Sequence, residues 1–488
     1  MKDAAPQTVY LKDYKVAVFL IEKTNLTFDL GETKTSVIAE LTLARNMASH
    51  DESNNLVLDG SPGLDLQWVK VDGELLAPSD YLREAESLTI FNLPAHCVVT
   101  TEVFIEPHLN TTMMGLYRSR SMYCTQCEAE GFRDITYYLD RPDVMAEFTT
   151  KVIGDQQQYP ILLSNGNPIE RGIIDGGRHF VTWHDPFKKP AYLFALVAGT
   201  LSVVNDSFVT SSGREVHLQI FVEEKDLDKC DHAMLSLKRS MRWDEEVYGR
   251  EYDLDIFMIV AVDDFNMGAM ENKGLNIFNT SAVLVNPKTS TDAAFQRVEA
   301  IVAHEYFHNW SGNRVTCRDW FQLSLKEGFT VYRDSQFSSD MNSPTVKRIE
   351  DVAVLRTHQF AEDGGPMAHS VQPESYMEIN NFYTVTIYEK GAEVVGMYHT
   401  LLGADTFRRG SDLYFDRHDG QAATVEDFVV SMEDASGRDL SQFRRWYKQS
   451  GTPILETTAS FDEQAATYTL NFKQRCPDTP GQTDKMPF

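Results

Sequence analysis

The hydrophobic pattern of this chain changes period near residue 200, and that change limits what it can fold into. Residues 8 to about 200 carry short apolar stretches at 16–21, 35–43 and 88–93, separated by Gly, Pro, Asn and Asp. Successive side chains of a strand point to opposite faces, so such stretches each bury one face. With turn residues between them they predict an all-β sandwich or saddle. Beyond residue 200 the apolar spacing is helical. Stretch 229–248 places Ala233, Leu235, Leu237, Met241 and Trp243 at that spacing, and 292–310 does so with Phe295, Val298, Ile301, Val302, Tyr306 and Phe307. Stretch 254–262 is continuously apolar but for Asp255 and reads as a buried strand. Helices are further predicted over 323–337, 346–358, 384–402, 404–415, 425–435 and 440–449. From Ile454 strand alternation returns, with Tyr468, Leu470 and Phe472 between Thr467, Thr469 and Asn471.

Length and charge narrow the functional classes. At roughly 100–200 residues per domain, 488 residues make two to four domains. The net charge is −27, from 72 acidic and 45 basic residues. Phosphate binding needs clustered Lys and Arg, so neither nucleic acid nor an anionic membrane surface is an expected partner. The surplus acid provides solubility, or a negative field around a site for cationic substrates. Six cysteines are too few for a disulfide scaffold and point to a reducing compartment. Cys124 and Cys127 have the spacing of half a zinc knuckle, but no second pair accompanies them, so they read as structural or incidental. Met1 to Pro6 lead into polar sequence without a secretory apolar core, and no apolar run approaches 18 residues. A cytoplasmic, unanchored protein is expected, most simply a monomer.

The chemistry concentrates in 304–308, His-Glu-Tyr-Phe-His. On a helix, positions i and i+4 share one face, so His304 and His308 can reach one Zn²⁺ at about 2.0–2.1 Å. Glu305 sits beside the first histidine, where it can accept a proton from water activated by the metal without itself coordinating. Catalytic zinc typically takes three protein ligands and keeps one position open. Eighteen residues lie between His308 and Glu327, which falls on the next predicted helix and supplies the carboxylate of a His₂Glu set. One zinc ion per chain is the expected cofactor. Asp334, seven residues further, is either a partner for a ligand histidine or a solvated helix charge.

Upstream, 265–274 is Phe-Asn-Met-Gly-Ala-Met-Glu-Asn-Lys-Gly, rich in small residues that let a backbone approach a ligand; an extended peptide can add to such a segment as a strand. Gly268, Ala269, Met270, Glu271 and Asn272, followed by the histidine motif and Glu327, resemble the aminopeptidase N family of zinc aminopeptidases. Residues 304–313, 318–328 and 388–391 are similar to its bacterial alanyl aminopeptidase branch, and the likeness runs from Tyr10 to Tyr447. It implies an N-terminal β domain over 1–200, a thermolysin-like zinc catalytic domain over 201–451, and the beginning of a small β-sandwich domain over 452–488. By that resemblance Glu271 and Glu128 bind the free α-amino group of a peptide, and Gln126 and Met267 line the pocket for its first side chain. Met270, Asn272 and Tyr383 are further substrate contacts, and the Tyr388 hydroxyl donates to the tetrahedral oxyanion. A desolvated ammonium needs carboxylate partners, so two of them beside a metal measure from the amino terminus. Adaptable Met implies broad specificity.

Three rivals stay open. A thermolysin-type endopeptidase shares the zinc motif, but Glu271 and Glu128 would obstruct residues upstream of the cleaved bond. An epoxide hydrolase–aminopeptidase resembles the same zinc site, and Gly268-Ala269 favours the plain aminopeptidase. Members of the family usually continue through a β domain and a helical capping domain, so a chain stopping here is also expected as an inactive or binding-only fragment.

Overall fold

The computed structural model describes residues 7–488. The leader-free reading of Met1 to Pro6 lies outside the described residues. These residues form two compact units. One comprises Lys15–Asp319 with His418–Ala422; the other comprises residues 7–14, Trp320–Arg417 and Ala423–Phe488.

Alternating burial builds the first unit. Its eight-stranded sheet runs Asn167–Ile174, Arg178–Lys189, Ala146–Asp155, Phe19–Leu30, Thr35–Arg45, His96–Ile105, Asp65–Val71, Glu74–Leu75. Along Ala146–Asp155 every second residue is buried, as a sheet with one covered face requires. The inward side chains join Phe132, Tyr138 and Phe194 in one core. There the Phe132 ring meets Tyr138 edge-on at 4.9 Å and Phe194 at 5.2 Å. Full burial of such a side chain contributes about 1.5–3 kcal/mol. Beside this sheet, strand β1 (Met122–Gln126) is buried at every position, which places the residues that follow it inside the protein.

The same unit contains a five-stranded sheet with two long helices. Helix α1 spans Asp231–Trp243. Strands β2 (Ile256–Val262), β3 (Ala269–Met270) and β4 (Leu275–Asn279) follow, with β4 between β2 and β3, so that β3 is the edge. All seven residues of β2 are buried, which accounts for its continuous apolar run. It pairs in parallel with both neighbours, the usual setting for such a strand. Helix α2 (Asp292–Phe307) starts at Thr291, whose hydroxyl accepts from the Ala294 amide, a normal N-cap. Its buried side includes Val298, Val302, Tyr306 and Phe307, and the Phe307 ring lies 5.0 Å from that of Trp243 at the end of α1.

The second unit is mostly helical. Helix α3 spans Leu323–Met341 and α4 spans Gly391–Leu402, with a wide π-type turn at Thr386–Lys390 leading into α4. The predicted helix over 440–449 is only partly formed, at Arg445–Lys448. Residues 441–444 close tighter turns instead: the Arg445 amide donates to the Gln442 carbonyl at 3.1 Å and the Trp446 amide to the Phe443 carbonyl at 3.0 Å. The strands Ile454–Asp462 and Thr467–Arg475 pair as an antiparallel hairpin. Among the described residues no helix is long and apolar enough to cross a membrane.

Candidate active site

Helix α2 and the edge of the five-stranded sheet bring the chemically active side chains of the first unit together. His304 and His308 lie one turn apart at the C-terminal end of α2, and their Nε2 atoms are 3.0 Å apart. His308 Nδ1 faces the Ser311 carbonyl at 2.8 Å. A carbonyl only accepts, so Nδ1 carries the proton and Nε2 presents its lone pair. Two nitrogens on one tetrahedral metal, each about 2.0–2.1 Å from it, stand about 3.3 Å apart. The observed separation and the tautomer of His308 therefore fit a shared cation, with Ser311 fixing the ring as an outer partner.

Glu305 and Glu271 crowd against His308, and Glu128 stands against Glu271. Glu305 is 7 % exposed, Glu271 3 % and Glu128 4 %. Ligand atoms of Glu271, Glu305 and His308 all lie within 4.8 Å of one another, and the carboxylates of Glu128 and Glu271 approach within the same distance. Like charges this close and this dry cannot all stay ionised without cations nearby. The cluster thus suits a divalent metal together with a second, organic cation.

Each acid arrives by a different route. Glu305 is carried by α2 between the histidines. Glu271 follows β3, whose Ala269 and Met270 pair antiparallel with Phe278 and Ile277 of β4 and leave the other side of β3 as the sheet edge. Glu128 follows β1, and Gln126 Nε2 donates to the Glu128 carbonyl at 3.2 Å and lies 3.7 Å from Met270 Sδ. Gln126 Oε1 is buried and has no hydrogen-bond partner among the described residues, so a polar acceptor remains on offer there. Gly268 is exposed, and a Cβ added to it would meet nothing within 4 Å; Met267 is half-buried. Asn272 is fully buried and donates to the Phe194 carbonyl at 3.2 Å, which anchors the segment after Glu271. Cys124 and Cys127 are buried free thiols, and burial pushes Cys124 up to about 12, far from reactivity.

In the second unit, Glu327 lies on α3, 2 % exposed, with Lys326 Nζ donating to its Oε1 at 2.5 Å. Gly328 follows it and touches Gly391 so closely that an added Cβ would stand 2.7 Å from the Gly391 carbonyl carbon. Two glycines let α3 and α4 meet backbone to backbone, and this draws Glu327 towards the turn that carries Tyr388. Tyr388 is half-buried in the π-type turn, a local geometry common at functional positions. The turn is anchored by Lys390 Nζ, which donates to Asp363 Oδ2 at 2.7 Å and to the Gly451 carbonyl at 3.1 Å. Tyr383 is half-buried just before it, and Asp334 is half-buried further along α3.

Beneath the carboxylates lies a charged network that sequence reading did not identify. Lys273 Nζ donates to both Asp253 oxygens at 2.5 Å and to Asn309 Oδ1 at 2.7 Å. Arg314 Nη1 adds to Asp253 at 2.9 Å, and the rest of its guanidinium pairs with Asp419. Burial pushes the Asp253 carboxyl up, but the Lys273 and Arg314 cations outweigh it and hold the group below its ordinary range. The signal available in sequence was only that Lys273, Asn309 and Arg314 stand a few residues from Glu271 and His308.

The chain matches known proteins along most of its length. Residues 32–193 match the peptidase M1 N-terminal domain, and residues 232–447 the peptidase family M1 domain. Aminopeptidase N of Caulobacter vibrioides is 56 % identical over 469 residues, covering 96 % of this chain and 54 % of that protein. Aminopeptidase N of Escherichia coli is 55 % identical, covering 99 % of this chain and 55 % of that protein. A crystal structure of Legionella pneumophila aminopeptidase A in complex with aspartic acid superimposes with a TM-score of 0.90 at 36 % identity, over 96 % of this chain and 54 % of that one. The chain therefore spans about half the length of these relatives.

Proposed function

This chain belongs to peptidase family M1, and from that premise we propose that it is a zinc-dependent aminopeptidase of broad specificity, removing the first residue of peptides with a free amino terminus. The observation that carries the reading is the pair Glu271 and Glu128, buried and within 4.8 Å of each other, with Glu271 as close to His308. A metal site alone specifies a hydrolase. Two desolvated carboxylates beside it specify a cationic feature of the substrate at a set distance from the scissile bond.

The ligands in this reading are His304, His308 and Glu327, for one zinc ion. The chemistry that the ion supplies when bound is Lewis acidity towards a water and towards the scissile carbonyl. Glu271 and Glu128 accept hydrogen bonds from the substrate ammonium and fix the first residue. The β3 edge, from Gly268 to Met270, pairs with the extended substrate, with Asn272 holding that segment in place. Gln126, Met267 and Tyr383 meet the first side chain. Glu305 takes the proton of the attacking water and returns it to the leaving amine, a role that general bases fill for about 10²–10⁴ in rate. The Tyr388 hydroxyl donates to the oxygen that gains charge. Support for the ligand set comes from the spacing of Glu327 after His308, its burial, and family membership. A cytoplasmic monomer without nucleic-acid partners completes the proposal, supported by six free cysteines and a net charge of −27.

The test is hydrolysis of L-alanine and L-leucine p-nitroanilides against their N-acetyl forms, with and without 1,10-phenanthroline. Chelator-sensitive turnover confined to the free amines is the expected result. Equal turnover of blocked and free substrates would establish the endopeptidase instead, and zinc binding without turnover would establish a binding-only fragment. Glu271→Ala is expected to raise KM more than it lowers kcat.

A further inference from the structure

The cluster specifies which groups meet, but an enzyme that removes a single residue also needs their spacing held. Glu271 sits on a segment after a sheet edge, and His308 sits at the end of a helix. Two separate polar arms join these elements. In the first, Asn313 Nδ2 donates to the Glu271 carbonyl at 2.9 Å, while the Asn313 amide donates to the His308 carbonyl at 2.9 Å. In the second, Lys273 Nζ donates to Asn309 Oδ1 at 2.7 Å, with Asp253 gripping the same ammonium. Asn309 is the residue after His308, and Lys273 is two after Glu271.

All four side chains are nearly dry: Glu271 is 3 % exposed, Lys273 1 %, Asn309 3 % and Asn313 4 %. Water therefore cannot replace a lost arm cheaply. The orientation of Asn313 is also determined. The Glu271 carbonyl only accepts, so the amide nitrogen must face it, and Asn313 Oδ1 has no hydrogen-bond partner among the described residues. Among the described residues the side-chain amide of Asn313 thus has one hydrogen bond, the one that holds Glu271.

We propose that Asn313 and the Lys273–Asn309 pair form a two-armed clamp that sets the distance between the amine-recognising Glu271 and the metal-binding His308. They are positioning residues, and they make the cleavage point fall one residue from a free amino terminus. The inference rests on the aminopeptidase reading and deepens it. A misplacement of about 1 Å can cost on the order of 10²-fold, and one confined to the amine-recognising carboxylate falls on binding of the free amine, so a clamp of this kind has a measurable effect.

The variant Asn313→Asp is nearly isosteric but cannot donate to the Glu271 carbonyl when ionised. It is compared with wild type as the full 488-residue chain, by zinc content, by calorimetric titration with L-leucine amide and N-acetyl-L-leucine amide, and by KM and kcat on L-leucine p-nitroanilide. The expected result is unchanged zinc stoichiometry, at least tenfold weaker binding of the free amine, no change for the acetylated probe, and a KM raised at least tenfold. Unchanged free-amine affinity, or a loss of kcat at constant KM, overturns the clamp. Should Asn313→Asp not fold, Asn309→Ala cuts the other arm and carries the same expectation. Wild type is measured first: if it shows no preference for the free amine, the aminopeptidase reading itself has failed. If it shows the preference and both variants keep it, only the clamp has.

Discussion

Lys273→Met removes one ammonium from the buried network while keeping an unbranched side chain of similar length. The size of the effect follows from what remains. Asp253, 7 % exposed in its side chain, loses the donor that met both its oxygens at 2.5 Å. It keeps Arg314 Nη1 at 2.9 Å and Asn309 Nδ2 at 3.3 Å. Removing one partner of a buried ion pair costs about 3–5 kcal/mol, and the retained Arg314 places this case at the lower end, about 3 kcal/mol. The ammonium also stands 4.9 Å from the Phe187 ring and 5.8 Å from the Tyr252 ring. The thioether of Met makes comparable ring contacts, so that part of the loss is largely offset. At about 2 °C per kcal/mol for a large unit, the melting temperature of the metal-free protein is expected to fall by about 6 °C at pH 7.

The pH dependence gives a second handle on the same argument. In wild type the Asp253 carboxyl is held below its ordinary range, because the two cations outweigh burial. A depressed carboxyl contributes stability that is complete above the unfolded value of about 3.9 and is lost as pH falls below it. Lys273→Met removes much of that depression. The part of the gap that comes from Asp253 is therefore full at pH 7 and at pH 5, and narrows from about pH 4 downwards. Scanning calorimetry of both proteins at pH 7, 5 and 3.5 measures this directly. A fall of less than 1 °C at pH 7, or a gap as wide at pH 3.5 as at pH 7, would refute the reasoning.

The remaining predictions concern the catalytic parts. Glu305→Gln should retain zinc, measured by atomic absorption, and lose about 10²–10⁴ in kcat, since the amide cannot accept the proton; wild-type turnover would sink its role as base. Tyr388→Phe should lower kcat by about 10²–10³ with little change in KM, as expected of a donor used in the transition state. Equal falls in zinc content or melting temperature would instead mark Tyr388 as structural. Gly328→Ala drives a methyl to 2.7 Å from the Gly391 carbonyl carbon and should cost about 1–3 kcal/mol, read by urea denaturation; a neutral result would mean that α3 and α4 can separate freely.

What the sequence by itself determined is what depends on spacing along one element. Helical periodicity placed His304, Glu305 and His308 on one helix, because residues four apart share a face. Strand alternation and turn residues identified a β-rich first part and a helical second part, and the apolar run at 254–262 was legible as a buried strand. Strand alternation after Ile454 was legible in the same way, while its pairing as a hairpin came from the fold. The helix over 440–449 was legible only in part, because its first residues close i to i−3 turns that apolar periodicity does not distinguish from a helix. Tertiary structure decided everything that crosses between elements. It set the sheet order, in which Phe19–Leu30 lies parallel to Ala146–Asp155 more than a hundred residues away. It brought the Glu128 carboxylate, from the end of β1, within 4.8 Å of Glu271 after β3. It also joined Asp253, Lys273, Asn309, Asn313 and Arg314 into the network under the site. Such groups carry no shared period, since what selects them is the need of buried charges and amides for partners, and that need exists only once the chain has folded.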